Sequence, residues 1–223
     1  MAVEVECLKS NPYFSGLSRV SLDSIGEFIF EETAEKGEML LFEGEPAETV
    51  YFVISGVVKV FKTSVDGKEQ IFNLIRHGES FNDVPVLGGG TNLTNADAMV
   101  PVVLYGIKKV SLEVIIRDYP QVALNIIRVL SQRVQHLVTL VEDLSFRHVT
   151  SRVAKLLLKY ALDGEGQRPK LTQQEMAALA GTAREVVGRS LKTLEVDGLI
   201  RLDRHRIVVT DIKALREMAG VNA

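Results

Sequence analysis

The sequence contains one cysteine, Cys7, and no two of its four histidines have the spacing of metal ligands. One cysteine can neither close an intramolecular disulfide nor supply the four thiolates of an iron–sulfur cluster. The acidic neighbours Glu4 and Glu6 disfavour a thiolate, so we predict that Cys7 is inert. No nucleophile–base pair and no Walker loop is evident, which argues against an enzyme.

Long apolar runs and a basic N-terminal leader are also missing. No apolar stretch reaches the roughly 18 residues that a membrane span needs, and residues 121–148 carry several charges. The first residues, MAVEVECLKSNPYF, do not place basic residues ahead of an apolar run, so no signal peptide is expected. We therefore expect a cytoplasmic protein.

Positive charge is scarce in the first part of the chain and concentrated at its end. Residues 1–144 hold 12 Lys and Arg against 20 Asp and Glu (net −8), and residues 145–223 hold 14 against 9 (net +5). A basic C-terminal part on an acidic body indicates that this end binds a polyanion. The 223 residues suffice for two modest domains.

A heptad pattern in residues 120–147 predicts one long helix that begins at Pro120. β-Branched residues occupy one heptad position and leucines the other, a division that favours two strands in parallel coiled coils. We predict a dimerisation helix, the alternative being an amphipathic core helix in a monomer. Its seam consists of Ile127, Leu130, Val134, Leu137, Val141 and Leu144. A second stripe is predicted to pack on the chain's own domain: Val122, Ile126, Val129 and Leu140.

Short runs rich in β-branched and aromatic residues dominate the chain from residue 29 onward, with turn residues about every ten positions. This pattern predicts an all-β barrel or roll. Asp66–Gly67 gives the strongest hairpin signal. Helices are predicted at 21–28, with Ser21 as N-cap, and at 111–119. The fold class is α+β, with a sensor domain (1–119), the long helix (120–147) and a C-terminal domain (148–223).

Residues 171–200, LTQQEMAALAGTAREVVGRSLKTLEVDGLI, have the spacing of a helix-turn-helix. Thr172 and Glu175 form a capping box at the start of the first helix. Gly181 breaks that helix, and Thr182 is predicted to cap the second helix. Residues 200–212 then predict two strands around Asp203–His205, a small wing beside the helices.

In a helix-turn-helix, the second helix lies in the major groove with its N-terminal residues at the base edges. Here those residues are Arg184, Glu185 and Arg189. Arg suits the acceptors of guanine, and Glu accepts from the cytosine amino group. Lys192 and Thr182 are placed for phosphates. Wing arginines are predicted to meet the DNA backbone: Arg201, Arg204 and Arg206. The alternative is a helical hairpin with a solvated charged face.

A β-roll, a long dimer helix and a winged helix-turn-helix, in this order, resemble the CRP/FNR family of bacterial transcription regulators over nearly the full chain. The similarity is strongest in GEMLLFEGEPAETVYFVISGVVKVFK, VEDLSFRHVTSRVAKLLL and TAREVVGRSLKTLEVDGLI. The family's R-E-x-V-x-R pattern falls on Arg184, Glu185, Val187 and Arg189. The resemblance implies a jelly-roll-like double-stranded β-helix for the sensor and base contacts by the pattern's charged residues. It also implies a palindrome with TGTGA-like half-sites and RNA polymerase as a partner.

The predicted effector pocket departs from the family's cyclic-nucleotide cassette, F-G-E followed by R-[ST]-A. Phe81 matches, but Asn82 and Asp83 replace the Gly and Glu, and Asn92 and Leu93 fall where the Arg and Ser stand. A cyclic phosphate needs a guanidinium or a cluster of backbone donors, and neither of the last two side chains is charged. We therefore expect an effector other than cyclic AMP or GMP.

These patterns predict a homodimeric, sequence-specific regulator of double-stranded DNA that is controlled by a small effector in the roll. The alternative is a haem- or redox-based sensor module whose main output is a partner protein. His136, on the long helix, is the residue considered for a haem or metal. The identity of the effector and the choice between activation and repression stay open.

Overall fold

The computed structural model describes residues 5–9, 11–162, 171–203 and 206–221, without the side chains of residues 5, 6, 160–162 and 206. Their contacts group into two compact units, one within residues 1–62 and 72–136 and the other within residues 63–71 and 137–223. In the described ranges, no helix is long and apolar enough to cross a membrane.

The N-terminal roll consists of two four-stranded sheets whose recorded strand pairs are antiparallel. The strands are β1 (Ile29–Ala34), β2 (Met39–Leu41), β3 (Thr49–Ser55), β4 (Val58–Thr63), β5 (Glu69–Ile75), β6 (Ser80–Phe81), β7 (Asn95–Ala98) and β8 (Val102–Lys108). One sheet has the order β1-β8-β3-β6, and the other has the order β2-β7-β4-β5. The predicted all-β roll is confirmed.

Tight turns join the strands because glycines adopt conformations that other residues avoid. Between β4 and β5, Gly67 has a φ of +77° and donates to the carbonyl of Ser64 over 2.9 Å. The Asp66–Gly67 hairpin predicted from the sequence is therefore present. Gly56, between β3 and β4, also has a positive φ of +88°. A Cβ there would lie 2.5 Å from the carbonyl oxygen of Pro101, so the close approach of this strand requires glycine.

Helices precede and follow the strands of the roll, and one helix lies between β6 and β7. They are α1 (Val5–Lys9), a 3-10 turn (Pro12–Phe14), α2 (Arg19–Gly26), α3 (Asp83–Gly88), α4 (Lys109–Asp118) and α5 (Pro120–Phe146). The N-cap of α2 is Ser18, which accepts from the backbone of Ser21 over 3.1 Å. The prediction of Ser21 as the cap is wrong by one turn, because the helix already begins at Arg19. Helix α3 was not among the predicted elements.

The main core of the roll lies between the first sheet and the helices. Tyr13, Phe14 and Phe52 form an aromatic cluster, with ring centroids 5.3 to 6.4 Å apart. Around this cluster, α2, α4 and the first part of α5 bury apolar side chains. A second core cluster lies within the roll and includes Val53, Phe81 and Leu104.

Helix α5 carries two apolar stripes with different surroundings. Val122 and Ile126 are buried in the roll core, and Val129 packs against it, as predicted for the second stripe. Leu140 is half-buried. Five of the six predicted seam residues are exposed: Ile127, Val134, Leu137, Val141 and Leu144. The sixth, Leu130, is half-buried against the roll core, which the heptad pattern did not predict.

The C-terminal residues form a helical unit with a two-stranded wing. Its elements are α6 (Val149–Leu162), α7 (Gln173–Ala180), α8 (Arg184–Val196), β9 (Ile200–Asp203), β10 (Arg206–Val209) and α9 (Ile212–Ala219). Its core contains Val153, Met176, Leu191 and Leu215, all buried. The predicted order of helix-turn-helix and wing is confirmed.

Candidate nucleic-acid interface and effector pocket

Helix α7 and the turn that follows it are stabilised by local hydrogen bonds that were predicted from the sequence. Thr172 accepts from the backbone of Glu175 over 3.1 Å, and the Glu175 carboxylate accepts from the backbone of Thr172 over 2.6 Å. This is the predicted capping box. Gly181 ends α7 in the left-handed region, with a φ of +63°, and its N–H donates to the carbonyl of Ala177. The chain then turns into α8.

Helix α8 separates its buried and exposed residues by face. Val187, Ser190, Leu191 and Leu194 are buried, and Val186 is half-buried. Arg184, Glu185 and Arg189 are all exposed, as is Lys192. No side chain of these four is hydrogen-bonded or ion-paired to another residue within the described ranges. One side of α8 therefore presents charged side chains that are available to an external partner.

Thr182 does not have the capping role that we predicted. The N-cap of α8 is Ala183, whose side chain offers no acceptor. Thr182 is half-buried, and its backbone N–H donates to the carbonyl of Ala177 over 3.0 Å. The prediction failed because the turn uses two residues after Gly181 before helical geometry starts at Arg184.

The wing is a regular antiparallel pair in which Ile200 faces Val209 and Asp203 faces Arg206. The Glu195 carboxylate, near the end of α8, accepts from the backbone of Leu202 over 2.8 Å. This bond ties the wing to the helix that precedes it. Arg201 is exposed. Arg204 and His205 lie outside the described residues, and the side chain of Arg206 is likewise not described.

In the predicted effector pocket, Phe81 and Asn82 have structural partners. Phe81 is buried, and its ring stacks on the ring of Tyr51 with 5.3 Å between the two centroids. Asn82 has a φ of +65°, the one positive value among the described non-glycine residues. Its side-chain amide donates to the carbonyl of Thr49 and to the side-chain oxygen of Asn92. These two bonds hold Asn82 in a conformation that most residues avoid.

Asp83 is the most enclosed polar residue of the set, with 1% of its surface exposed. One carboxylate oxygen accepts from the Tyr13 hydroxyl over 2.5 Å and from the Ser80 hydroxyl over 3.0 Å. The other oxygen is ion-paired with the guanidinium of Arg133, from α5. Arg133 also donates to the carbonyl of Ser80 over 2.5 Å. Burial, and next the charge of Asp83, raise the pKa of Tyr13 far above its usual value.

Asn92 and Leu93, the last two predicted pocket residues, have opposite surroundings. Asn92 is 4% exposed, and its amide donates to the carbonyl of Phe42 over 3.1 Å. Its backbone is also paired, to Gly44 and Glu45. Leu93 is exposed. The structure therefore brings Asn82 and Asn92 together, whereas Asp83 is held by a separate set of side chains.

Sequence reasoning missed the three partners of Asp83, namely Tyr13, Ser80 and Arg133. Two of them are 70 and 50 positions from Asp83 along the chain. No local pattern connects residues at such separations, so the sequence offered no signal for this cluster.

His136, the residue considered for a haem or metal, is exposed on α5. Among the residues that the structure describes, no group of three or more His, Cys, Asp or Glu side chains is placed to hold a metal ion.

Comparison with known proteins identifies both parts of the chain. Residues 31–119 match the family model described as "Cyclic nucleotide-binding domain", and residues 151–218 match the "Crp-like helix-turn-helix domain". The "Cyclic AMP receptor protein" of Thermus thermophilus is 31% identical over 95% of this chain and 98% of its own. A "CRP-like cAMP-activated global transcriptional regulator" of Mycobacterium tuberculosis is 28% identical over 96% of this chain and 99% of its own.

Solved structures give the same assignment. The catabolite activator protein of Thermus thermophilus is 30% identical and aligns with a TM-score of 0.56 over 95% of this chain and 100% of that one. FixK2 from Bradyrhizobium japonicum is 25% identical, with a TM-score of 0.75 over 87% of this chain and 99% of that one. With its nucleotide-binding-like roll, long helix and winged helix-turn-helix, the chain belongs to the CRP/FNR family, whose members are DNA-binding transcription regulators and not enzymes.

Proposed function

We propose that the protein acts as a homodimer that binds a palindrome with TGTGA-like half-sites, one α8 in each major groove. The observation that carries this proposal is the charged face of α8. Arg184, Glu185 and Arg189 are exposed and lack protein partners within the described residues, while the opposite face of the helix is buried. Residues at the start of a recognition helix face the base edges, and bidentate Arg contacts select guanine.

The exposed stripe of α5 supports the dimer. Val134 is 59% exposed and Val141 is 63% exposed, although both are apolar. Val138, beside the predicted seam, is exposed as well. A contiguous apolar stripe on a helix of 27 residues is typical of a surface that a second helix covers. A two-fold protein reads a two-fold site, so dimer and palindrome support each other.

The roll's expected effector is the second part of the proposal. The named relatives are cyclic AMP proteins, but here Asn92 and Leu93 stand where the family's cassette has Arg and Ser. Asn82, Asp83 and Asn92 are already hydrogen-bonded to the chain itself. We therefore propose an effector that is not cyclic AMP, and RNA polymerase as the protein partner that the family implies.

Fluorescence anisotropy tests the DNA-binding part. The labelled probes are a palindrome with two TGTGA half-sites, the same duplex with one half-site scrambled, and a fully scrambled duplex. We expect at least about a 1000-fold preference for the palindrome over the scrambled duplex at physiological salt. Equal binding to all three probes, with a steep salt dependence, would show a non-specific polyanion binder instead. Sedimentation at micromolar concentration tests the dimer independently.

A further inference from the structure

The end of α5 is joined to α6 by a carboxylate between two cations. Asp143 is 9% exposed. Its Oδ1 atom lies 2.7 Å from Nε of Arg147, and its Oδ2 atom lies 2.5 Å from Nζ of Lys155 on α6. Removing either cation would leave the buried Asp143 carboxylate without a partner, which destabilises the folded state. The pairs therefore fix the last turn of α5 against the first turns of α6.

Arg147 also reaches the C-terminus of α9. Its guanidinium donates to the carbonyls of Ala219 and Gly220, the second over 3.3 Å. The final carbonyls of a helix lack partners and carry partial negative charge, so a guanidinium stabilises them. Gly220 has a φ of +60°, and a Cβ there would collide with the guanidinium. One side chain thus connects α5 with α9.

Arg152, in the first part of α6, contacts the C-terminus of α7 in the same way. Its Nε donates to the carbonyl of Ala180 over 2.9 Å, and its Nη1 donates to the carbonyl of Arg147 over 2.9 Å. Ala180 is the last residue of α7, and the turn to α8 follows it. Leu144 packs against the same turn, since a Cβ on Gly181 would lie 2.6 Å from the Cδ2 atom of Leu144. The turn that leads to the recognition helix is therefore held to the end of α5.

We infer that Arg147 and Arg152 are positioning residues that set the spacing between half-sites which the protein accepts. This inference rests on the proposed homodimer. If the α5 helices of two copies pack on each other, a rigid joint between α5 and α8 fixes the distance and angle between the two recognition helices. One added base pair moves a half-site by about 3.4 Å and rotates it by about 35°. With a rigid joint, a palindrome with the longer spacer binds more weakly. With a loose joint, both spacers bind with similar affinity.

The test uses the full chain and three palindromes whose spacers differ by one base pair, with affinities measured by anisotropy. The wild type is expected to prefer one spacer by about tenfold or more over its neighbours. In Arg147→Met and Arg152→Met that preference should fall to about threefold or less. Arg117→Met is the matched control, because among the described residues Arg117 pairs with its exposed neighbour Asp118 on α4 and with no other side chain. It should keep the wild-type preference.

Folded variants that retain the wild-type spacer preference would overturn the inference. If Arg147→Met does not fold, Arg147→Lys replaces it, since lysine keeps the charge beside Asp143 but lacks the planar fork. It should show the same loss. If the wild type binds no palindrome, the proposed function is wrong, and hydrogen exchange decides the inference. Faster exchange of the α7–α8 segment in Arg152→Met than in Arg117→Met supports the joint, and equal rates refute it.

Discussion

Arg133, in the middle of α5, is ion-paired with Asp83, which lies 50 positions earlier at the start of α3. The pair couples the long helix to the segment where the family's cassette holds its nucleotide. Because Tyr13 and Ser80 occupy the other carboxylate oxygen, Asp83 has 1% of its surface left for anything else. At the position where we propose an effector site, the Asp83 carboxylate is thus bound by the chain's own side chains.

Arg133→Met should destabilise the fold, because it leaves the Asp83 carboxylate buried without its cation. We expect the free energy of unfolding to fall by about 3 kcal/mol. Urea unfolding followed by circular dichroism measures the change. Arg117→Met is the control, since its pair with Asp118 is exposed to solvent and should contribute little to stability. Equal stability of the two variants would show that the Arg133 pair is not structural.

Stability should fall at alkaline pH because of two buried tyrosines. Burial, and then Asp83, raise the pKa of Tyr13, while burial, and then Glu32, raise the pKa of Tyr51 to about 12. In the unfolded chain both phenols titrate near pH 10. Stability is therefore complete below about pH 10, and it is lost as the pH rises towards the folded-state values, since only the unfolded chain releases these protons.

The measurement is the urea midpoint between pH 8 and pH 12. Tyr13→Phe removes one of the two phenols and should flatten the decline. It should also lower stability at neutral pH by about 2 kcal/mol, because a hydrogen bond to a carboxylate is lost. A wild-type urea midpoint that does not change above pH 10 would contradict the raised pKa values of Tyr13 and Tyr51.

Cyclic AMP should not change the melting temperature of the protein. A ligand that binds only the folded state at 100 times its Kd would add about 2.7 kcal/mol of stability. Asn92 is buried with its side-chain amide hydrogen-bonded to Asn82 and Phe42, and Leu93 has no side-chain donor to offer a phosphate. Thermal unfolding with millimolar cyclic AMP or cyclic GMP checks this expectation. A clear increase would mean that the cluster around Asp83 opens to admit a nucleotide.

Arg184→Ala and Arg189→Ala should each weaken binding to the proposed palindrome by about 1–3 kcal/mol per half-site and relax specificity there. Both side chains are exposed on α8, so thermal stability should stay within about 0.5 kcal/mol of the wild type. Lys192→Ala should instead weaken all duplexes alike, as expected for a phosphate contact. A uniform loss in the arginine variants would mean that they contact only the backbone.

Val134→Glu should separate the proposed dimer, because it would place two carboxylates in the apolar seam. Gln132→Glu is the matched control, since it adds the same charge to an exposed position on the same helix, away from the seam. Sedimentation should show a monomer for the first variant and a dimer for the second. A dimer in both would place the interface elsewhere.

Local sequence features predicted the elements that depend on neighbouring residues. The capping box at Thr172, the break at Gly181 and the hairpin at Gly67 all form as expected. Each involves groups only a few positions apart, so residue type and spacing suffice. The caps Ser21 and Thr182 were predicted wrongly, because α2 already begins at Arg19 and helical geometry in α8 starts only at Arg184. The actual caps are Ser18 and Ala183.

The sequence by itself determined the order of roll, long helix and winged helix-turn-helix, together with the charged face of α8. Periodicity and turn residues carry that information, because hydrophobic burial acts on whole faces of helices and strands. Only the tertiary structure decided that Arg133 pairs with Asp83, that Leu130 turns to the roll core, and that Arg147 reaches the end of α9. These contacts join residues far apart in the chain, and their partners are set by how the elements pack.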